Sequence, residues 1–135
     1  MVDIEAETKS FSSYAEIAAM QRMKTGALFN FACQTGPIMA GTTSKSLKTY
    51  AKNIGLAFQI ADDILDIESS TEALGKATQK DQGKGKATFV DLLGLDKAKI
   101  EAQRLVDEAI SELSVFGEKA AMLAATARYI IARRK

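Results

Sequence analysis

The 135-residue chain has no histidine, one cysteine, one proline and almost no net charge, with 18 Lys and Arg against 17 Asp and Glu. Without histidine there is no usual general base near neutral pH, no Ser-His or Cys-His nucleophile pair and almost no route to a zinc site. The single thiol, Cys33, excludes an internal disulfide and cysteine-rich metal clusters, and it suits a reducing compartment. A net charge of +1 provides no global basic field to release counterions from a phosphate backbone, so nucleic acid is not an expected partner. The chemistry left to the chain must run on carboxylates, lysines, arginines, hydroxyls and a hard metal ion.

Membrane signals are also lacking. Met1 to Ser10 are too acidic and too poor in apolar residues for a signal peptide. The longest uncharged run, Thr25 to Ser44, carries Asn30, Gln34, several threonines and Pro37, a poor bilayer segment. The expectation is a soluble, cytoplasmic protein without stable membrane insertion, of a length suited to one domain.

Helical patterning dominates, and no alternating β pattern competes with it. Ser13 and Glu16 have the form of a capping box, predicting a first helix from about Tyr14 to a break at Gly36-Pro37. Ser44 can cap a longer helix, whose stretch from Ile54 to Ile67 is apolar except for Gln59 and three aspartates. Periodicity is lost from Glu68 to Thr88, which reads as a loop. Thr88 and Asp91 can start a short helix closed by Gly94, and Asp96 can cap another that runs to Gly117. A last helix is expected from about Glu118 to Ile131. The fold class is all-α, a helical bundle.

The richest stretch is Gln59-Ile60-Ala61-Asp62-Asp63-Ile64-Leu65-Asp66. On a helix Asp62 and Asp66 stand one turn apart on one face, Gln59 lies one turn earlier, and Asp63 is close enough to Asp66 to join them. The flanks are apolar all round, so burial is expected, and three like charges cost several kcal/mol each to desolvate unless cations compensate. Basic residues from elsewhere would do so, as would a bound ion. Oxygen ligands without His or Cys point to Mg²⁺. A solvated acidic edge, or charges at the start of a shorter helix, is the plainer alternative.

Gly75 to Thr88 hold four lysines and one acid among three glycines. Glycines let backbone amides approach an anion, and lysine supplies a point charge for phosphate. The spacing is not that of a P-loop, and a solvated loop is the alternative. Arg22, Lys24, Thr25 and Gly26 offer a third element that reaches the same anion if the first two long helices pack antiparallel; otherwise Lys24 is a surface lysine. Cys33, Met20, Met23 and Met39 read as core filling.

As an ordered set, Lys24-Thr25-Gly26-Ala27-Leu28, Gly55-Leu56-Ala57-Phe58-Gln59-Ile60, Asp62-Asp63-Ile64-Leu65-Asp66, Leu74-Gly75-Lys76, Asp81 and Gly85-Lys86-Ala87-Thr88 resemble the C-terminal half of trans-prenyltransferases. Within these, bacterial farnesyl diphosphate synthases, or geranyltranstransferases, are most similar, and the resemblance spans residues 1–135. It implies the C-terminal part of the isoprenoid synthase fold and a homodimer, or pairing with an absent N-terminal half. It also implies Mg²⁺-dependent condensation of an allylic diphosphate with isopentenyl diphosphate.

Residue by residue, the resemblance makes Asp62, Asp63 and Asp66 the second aspartate-rich, metal-binding motif, with Asp62 the foremost direct ligand. Lys24, Lys76 and Lys86 would grip the allylic diphosphate. Thr25 and Gln59 would line the reacting region beside Lys24, and Arg133, Arg134 and Lys135 resemble the basic tail that helps hold isopentenyl diphosphate. Such chemistry needs no histidine, since metal and lysines stabilise charge on the departing diphosphate. The family's first aspartate-rich motif has no counterpart here, so the chain is expected to be about half of a bundle, with an exposed apolar face. The alternative function is a non-catalytic helical interaction module that retains the second aspartate motif.

Overall fold

The structure, a computed structural model, describes residues 13–74 and 88–134. Among these residues there are helices and no strand. Helix α1 (Tyr14–Gln21) begins where the Ser13 hydroxyl accepts the Glu16 N–H at 3.3 Å. It continues through one widened π turn, Arg22–Gly26, into α2 (Ala27–Met39).

The expected break at Gly36-Pro37 does not occur, because Pro37 lies in the last turn of α2, close to where the helix ends in any case. The stop comes at Gly41, whose φ of 71° is left-handed. There the Thr42 N–H donates to the Pro37 carbonyl and the Gly41 N–H to that of Ile38, a Schellman closure.

Helix α3 (Lys45–Leu74) starts with the Leu47 N–H donating to the Ser44 hydroxyl at 3.2 Å. Its 30 residues make a rod about 45 Å long. Residues Glu68 to Leu74, expected as loop, form its last two turns. Apolar periodicity ends there because α3 outruns the core, while Glu68 still reaches Lys99 at 2.6 Å. The short α4 (Phe89–Leu93) carries the full Thr88–Asp91 capping box and is closed by Gly94 at φ 83°. Helix α5 (Leu95–Glu112) therefore begins one residue before Asp96, which sits inside its first turn. A tight turn, Leu113–Ala120, bends at Gly117 (φ 58°) before α6 (Ala121–Ala132).

The core is the seam between α3 and α5. Tyr50, Ala57 and Ile60 are fully buried in α3, as are Ala98, Val106 and Ala109 in α5. The spacing Ala98, Ala102, Leu105, Val106, Ala109 gives α5 one narrow apolar stripe, and its alanines let the helices approach closely. Fully burying a side chain such as Val106 or Ile60 contributes about 1.5–3 kcal/mol. Tyr50 Oη donates to the Leu123 carbonyl at 2.8 Å, tying α6 to the seam, and burial pushes its hydroxyl up to about 12. Tyr14 Oη donates to Glu101 at 2.7 Å and its ring lies 5.4 Å from that of Phe89, which fastens α1.

Candidate active site

The site begins at the crossing of the π turn with α3. A Cβ placed on Gly55 would lie 3.4 Å from the Gly26 Cα and 3.5 Å from the Phe29 Cβ, so the two backbones are in contact. Four residues further along α3, Gln59 Nε2 donates to Thr25 Oγ1 at 3.0 Å. Phe29 and Phe58 pack beside it with ring centroids 5.4 Å apart. The rods run antiparallel, as the Lys24-Thr25-Gly26 reading required. Lys24 is exposed on the same π turn, next to Thr25. A π turn was not legible in the sequence; such turns often occur at functional sites, and this one widens α1–α2 at Lys24 and Thr25.

From Gln59 the polar stripe continues along α3. Asp62 is half-buried and pairs with the Arg133 guanidinium, which also lies 4.2 Å from the centre of the Phe58 ring. Arg133 Nε is buried without an acceptor among the described residues. Asp63 Oδ2 accepts the N–H of Phe89 at 3.1 Å, so this carboxylate anchors the start of α4. Burial pushes Asp63 up to about 6; the Phe89 N–H opposes this, and the charges of Asp62, Asp66 and Asp91 add to it. Asp66 is exposed one turn beyond Asp62.

Among the described residues no three His, Cys, Asp or Glu side chains converge on a point that could hold a metal ion. A hard cation such as Mg²⁺ does not need three, because it takes one or two carboxylates and completes its shell with water and phosphate oxygens. Asp62 and Asp66, on one face, fit that donor set. Asp63 instead faces the backbone amide of Phe89.

Of the basic residues expected here, Arg133 is beside the stripe, and Arg134 lines a cleft of about 640 Å³ between α3, α5 and α6. The expectations for Lys76, Lys86 and Lys135, and for the glycine-lysine loop, lie outside the described residues. The sequence marked Arg133 as part of a basic tail and called for basic residues from elsewhere to compensate the aspartates, but did not show that Arg133 pairs with Asp62. Two of the residues read as core filling are exposed instead: Met23 is 64% and Met39 83% accessible. Both lie on the apolar side of α1–α2 that no described residue covers. Met20 is buried and Cys33 half-buried, with burial pushing its thiol up.

The polyprenyl synthetase profile matches residues 1–131. The chain belongs to that family. It is 40% identical to a dimethylallyltranstransferase of Fischerella ambigua, covering 98% of this chain and 39% of that protein. It is also 40% identical to the farnesyl diphosphate synthase of Escherichia coli, covering 99% of this chain and 47% of that protein. The crystal structure of an FPP/GFPP synthase from Zymomonas mobilis, an apo structure, superposes with a TM-score of 0.78 at 47% identity, covering 96% of this chain and 42% of that one. The chain thus spans less than half the length of these polyprenyl synthetase relatives. No helix among the described residues is long and apolar enough to cross a membrane.

Proposed function

We propose that this chain carries one half of the metal and diphosphate site of a prenyltransferase that condenses an allylic diphosphate with isopentenyl diphosphate. The observation that carries the reading is the Gln59–Thr25 hydrogen bond, which sets two polar side chains at the head of the Asp62–Asp66 stripe. Asp62 and Asp66 would hold Mg²⁺. When bound, the ion would neutralise charge on the diphosphate leaving group. Lys24 supplies a further positive charge one residue from Thr25. The oxygens of Thr25 and Gln59, fixed by their mutual bond, offer electron density to an allylic cation while Phe29 and Phe58 keep water from that end. Arg133 holds Asp62 in place, and its Nε, without an acceptor among the described residues, offers a donor to a phosphate oxygen. None of these roles calls for histidine.

Lys76 and Lys86 are proposed, from the motif alone, to close over the diphosphate, and Arg134 to contribute to binding isopentenyl diphosphate. The exposed apolar side of α2 is the surface through which a second copy, or the remaining length found in the relatives, would pack, in a cytoplasmic setting suited to the free Cys33. The second reading, a non-catalytic helical module, is favoured by the engagement of Asp62 with Arg133 and of Asp63 with Phe89.

Incubation with geranyl diphosphate, isopentenyl diphosphate and Mg²⁺ separates the two readings. Product above a blank, lost in Asp62→Ala, supports the transferase. No product, with retained capture of a partner segment from the relatives' other half, supports the module.

A further inference from the structure

The densest concentration of positive charge among the described residues lies away from the carboxylate stripe. A groove of about 500 Å³ between the π turn with α2 and the start of α3 is lined by Arg22, Asn30, Lys45, Lys48, Thr49 and Lys52, over a floor of Gly26 and Ala27. Lys45, Lys48, Thr49 and Lys52 recur at helical spacing, so they form one wall. Arg22 and Asn30 face them from the antiparallel rod, two turns apart. No acid among the described residues lines this groove.

None of the four cations has an ion pair or hydrogen bond with a described residue, in a chain whose total charge is only +1. Their mutual repulsion is thus uncompensated from within the described residues. The first turn of α3 adds to the field, since its backbone N–H groups carry the positive end of the helix dipole. Lys48 lies 14 residues before Asp62, about 21 Å along the axis, so one diphosphate cannot bridge the two sites.

We propose that this groove is a second anion site that binds a metal-free diphosphate group. Lysine is a compact point charge for phosphate oxygens, arginine binds two of them at once, and Asn30 and Thr49 add neutral donors. The three lysines span about 10 Å of helix, a length suited to two linked phosphates. A recess between two rods suits a small anion better than a flat lipid surface does. Because Asp62 and Asp66 repel a free diphosphate unless a divalent cation intervenes, while no acid among the described residues lines this groove, a chelator distinguishes them.

The test is calorimetry of the full chain with inorganic pyrophosphate in EDTA, with vesicles of phosphatidylcholine alone or mixed with phosphatidic acid as a second arm. The expected result is saturable binding of pyrophosphate that weakens as salt rises. Loss of one charged hydrogen-bond donor should weaken it by about tenfold or more in Lys48→Gln, and likewise in Lys45→Gln. Asp62→Ala should bind as the parent does. Far-UV circular dichroism checks that the variants fold, and agreement between two independent exposed positions guards against a local defect. Binding only to the phosphatidic acid vesicles, lost in the same variants, keeps the phosphate chemistry and assigns it to a lipid headgroup. Absence of binding in both arms, or equal binding by the lysine variants, overturns the proposal, and neither outcome touches the Mg²⁺-dependent site.

Discussion

Helices α2 and α5 both carry apolar residues, yet these meet opposite fates. On α5 the apolar residues fall on one stripe and Ala98, Val106 and Ala109 vanish completely into the seam with α3. On α2 they surround the helix, none of its residues is fully buried, and Phe31 is 70% and Met39 83% exposed. A stripe carries the information about what it packs on, whereas a helix apolar all round requires neighbours on every side. The helix that touches the site through the π turn is thus also the one whose outer surface the described residues leave bare.

The largest expected effect comes from truncating the seam: Ile60→Ala should destabilise the chain by about 2–5 kcal/mol in urea unfolding. A cost below 1 kcal/mol would mean that the α3–α5 contact is not the core. Next is the backbone contact that links the two regions. Gly55→Val should cost about 1–3 kcal/mol by overpacking against Gly26 and Phe29. Gly55→Ala, whose Cβ finds ordinary contact distances, should be tolerated; equal damage from both would refute the contact. On α2 the contrast predicts a small effect, with Phe31→Glu changing unfolding of the monomer by about 0.5 kcal/mol or less. The same change should reduce self-association in sedimentation, and unaltered association would show that this face is not adhesive.

The smallest effect concerns pH. The Arg104 side chain, helped by Tyr14, holds the Glu101 carboxyl below its usual 4.5. A depressed carboxylate stabilises the fold above its unfolded value and loses that contribution as pH falls through the folded one. The acid limb of the stability profile should therefore flatten slightly in Glu101→Gln, and an unchanged limb would remove Glu101 from the account.

Caps were the most legible feature of the sequence, because each is a short pattern with one physical meaning. Ser13, Ser44, the Thr88–Asp91 box and Gly94 all act where expected. Asp96, expected as a cap, instead lies inside the first turn of α5, and two further boundaries were misread for opposite reasons. Pro37 looks like a breaker but falls in the terminal turn, where its cost is small. Glu68 to Leu74 look like loop because the core they would pack on ends before the helix does.

In the site, Thr25 and Gln59, both named by the motif reading, are joined by a hydrogen bond. The engagement of Asp62 by Arg133 and of Asp63 by Phe89 depends on how distant segments pack, which spacing along one helix does not encode. The basic groove was invisible for the same reason, since Arg22 and Lys45 to Lys52 become neighbours only when α2 folds back on α3.

The measurement that bears most directly on the central claim is the Mg²⁺-dependent part of geranyl diphosphate binding, taken as the difference between titrations with Mg²⁺ and with EDTA. The account predicts a clear Mg²⁺-dependent component in the parent chain, abolished in Asp62→Ala and retained in Lys48→Gln. A Mg²⁺-dependent component of equal size in the parent and in Asp62→Ala would contradict it.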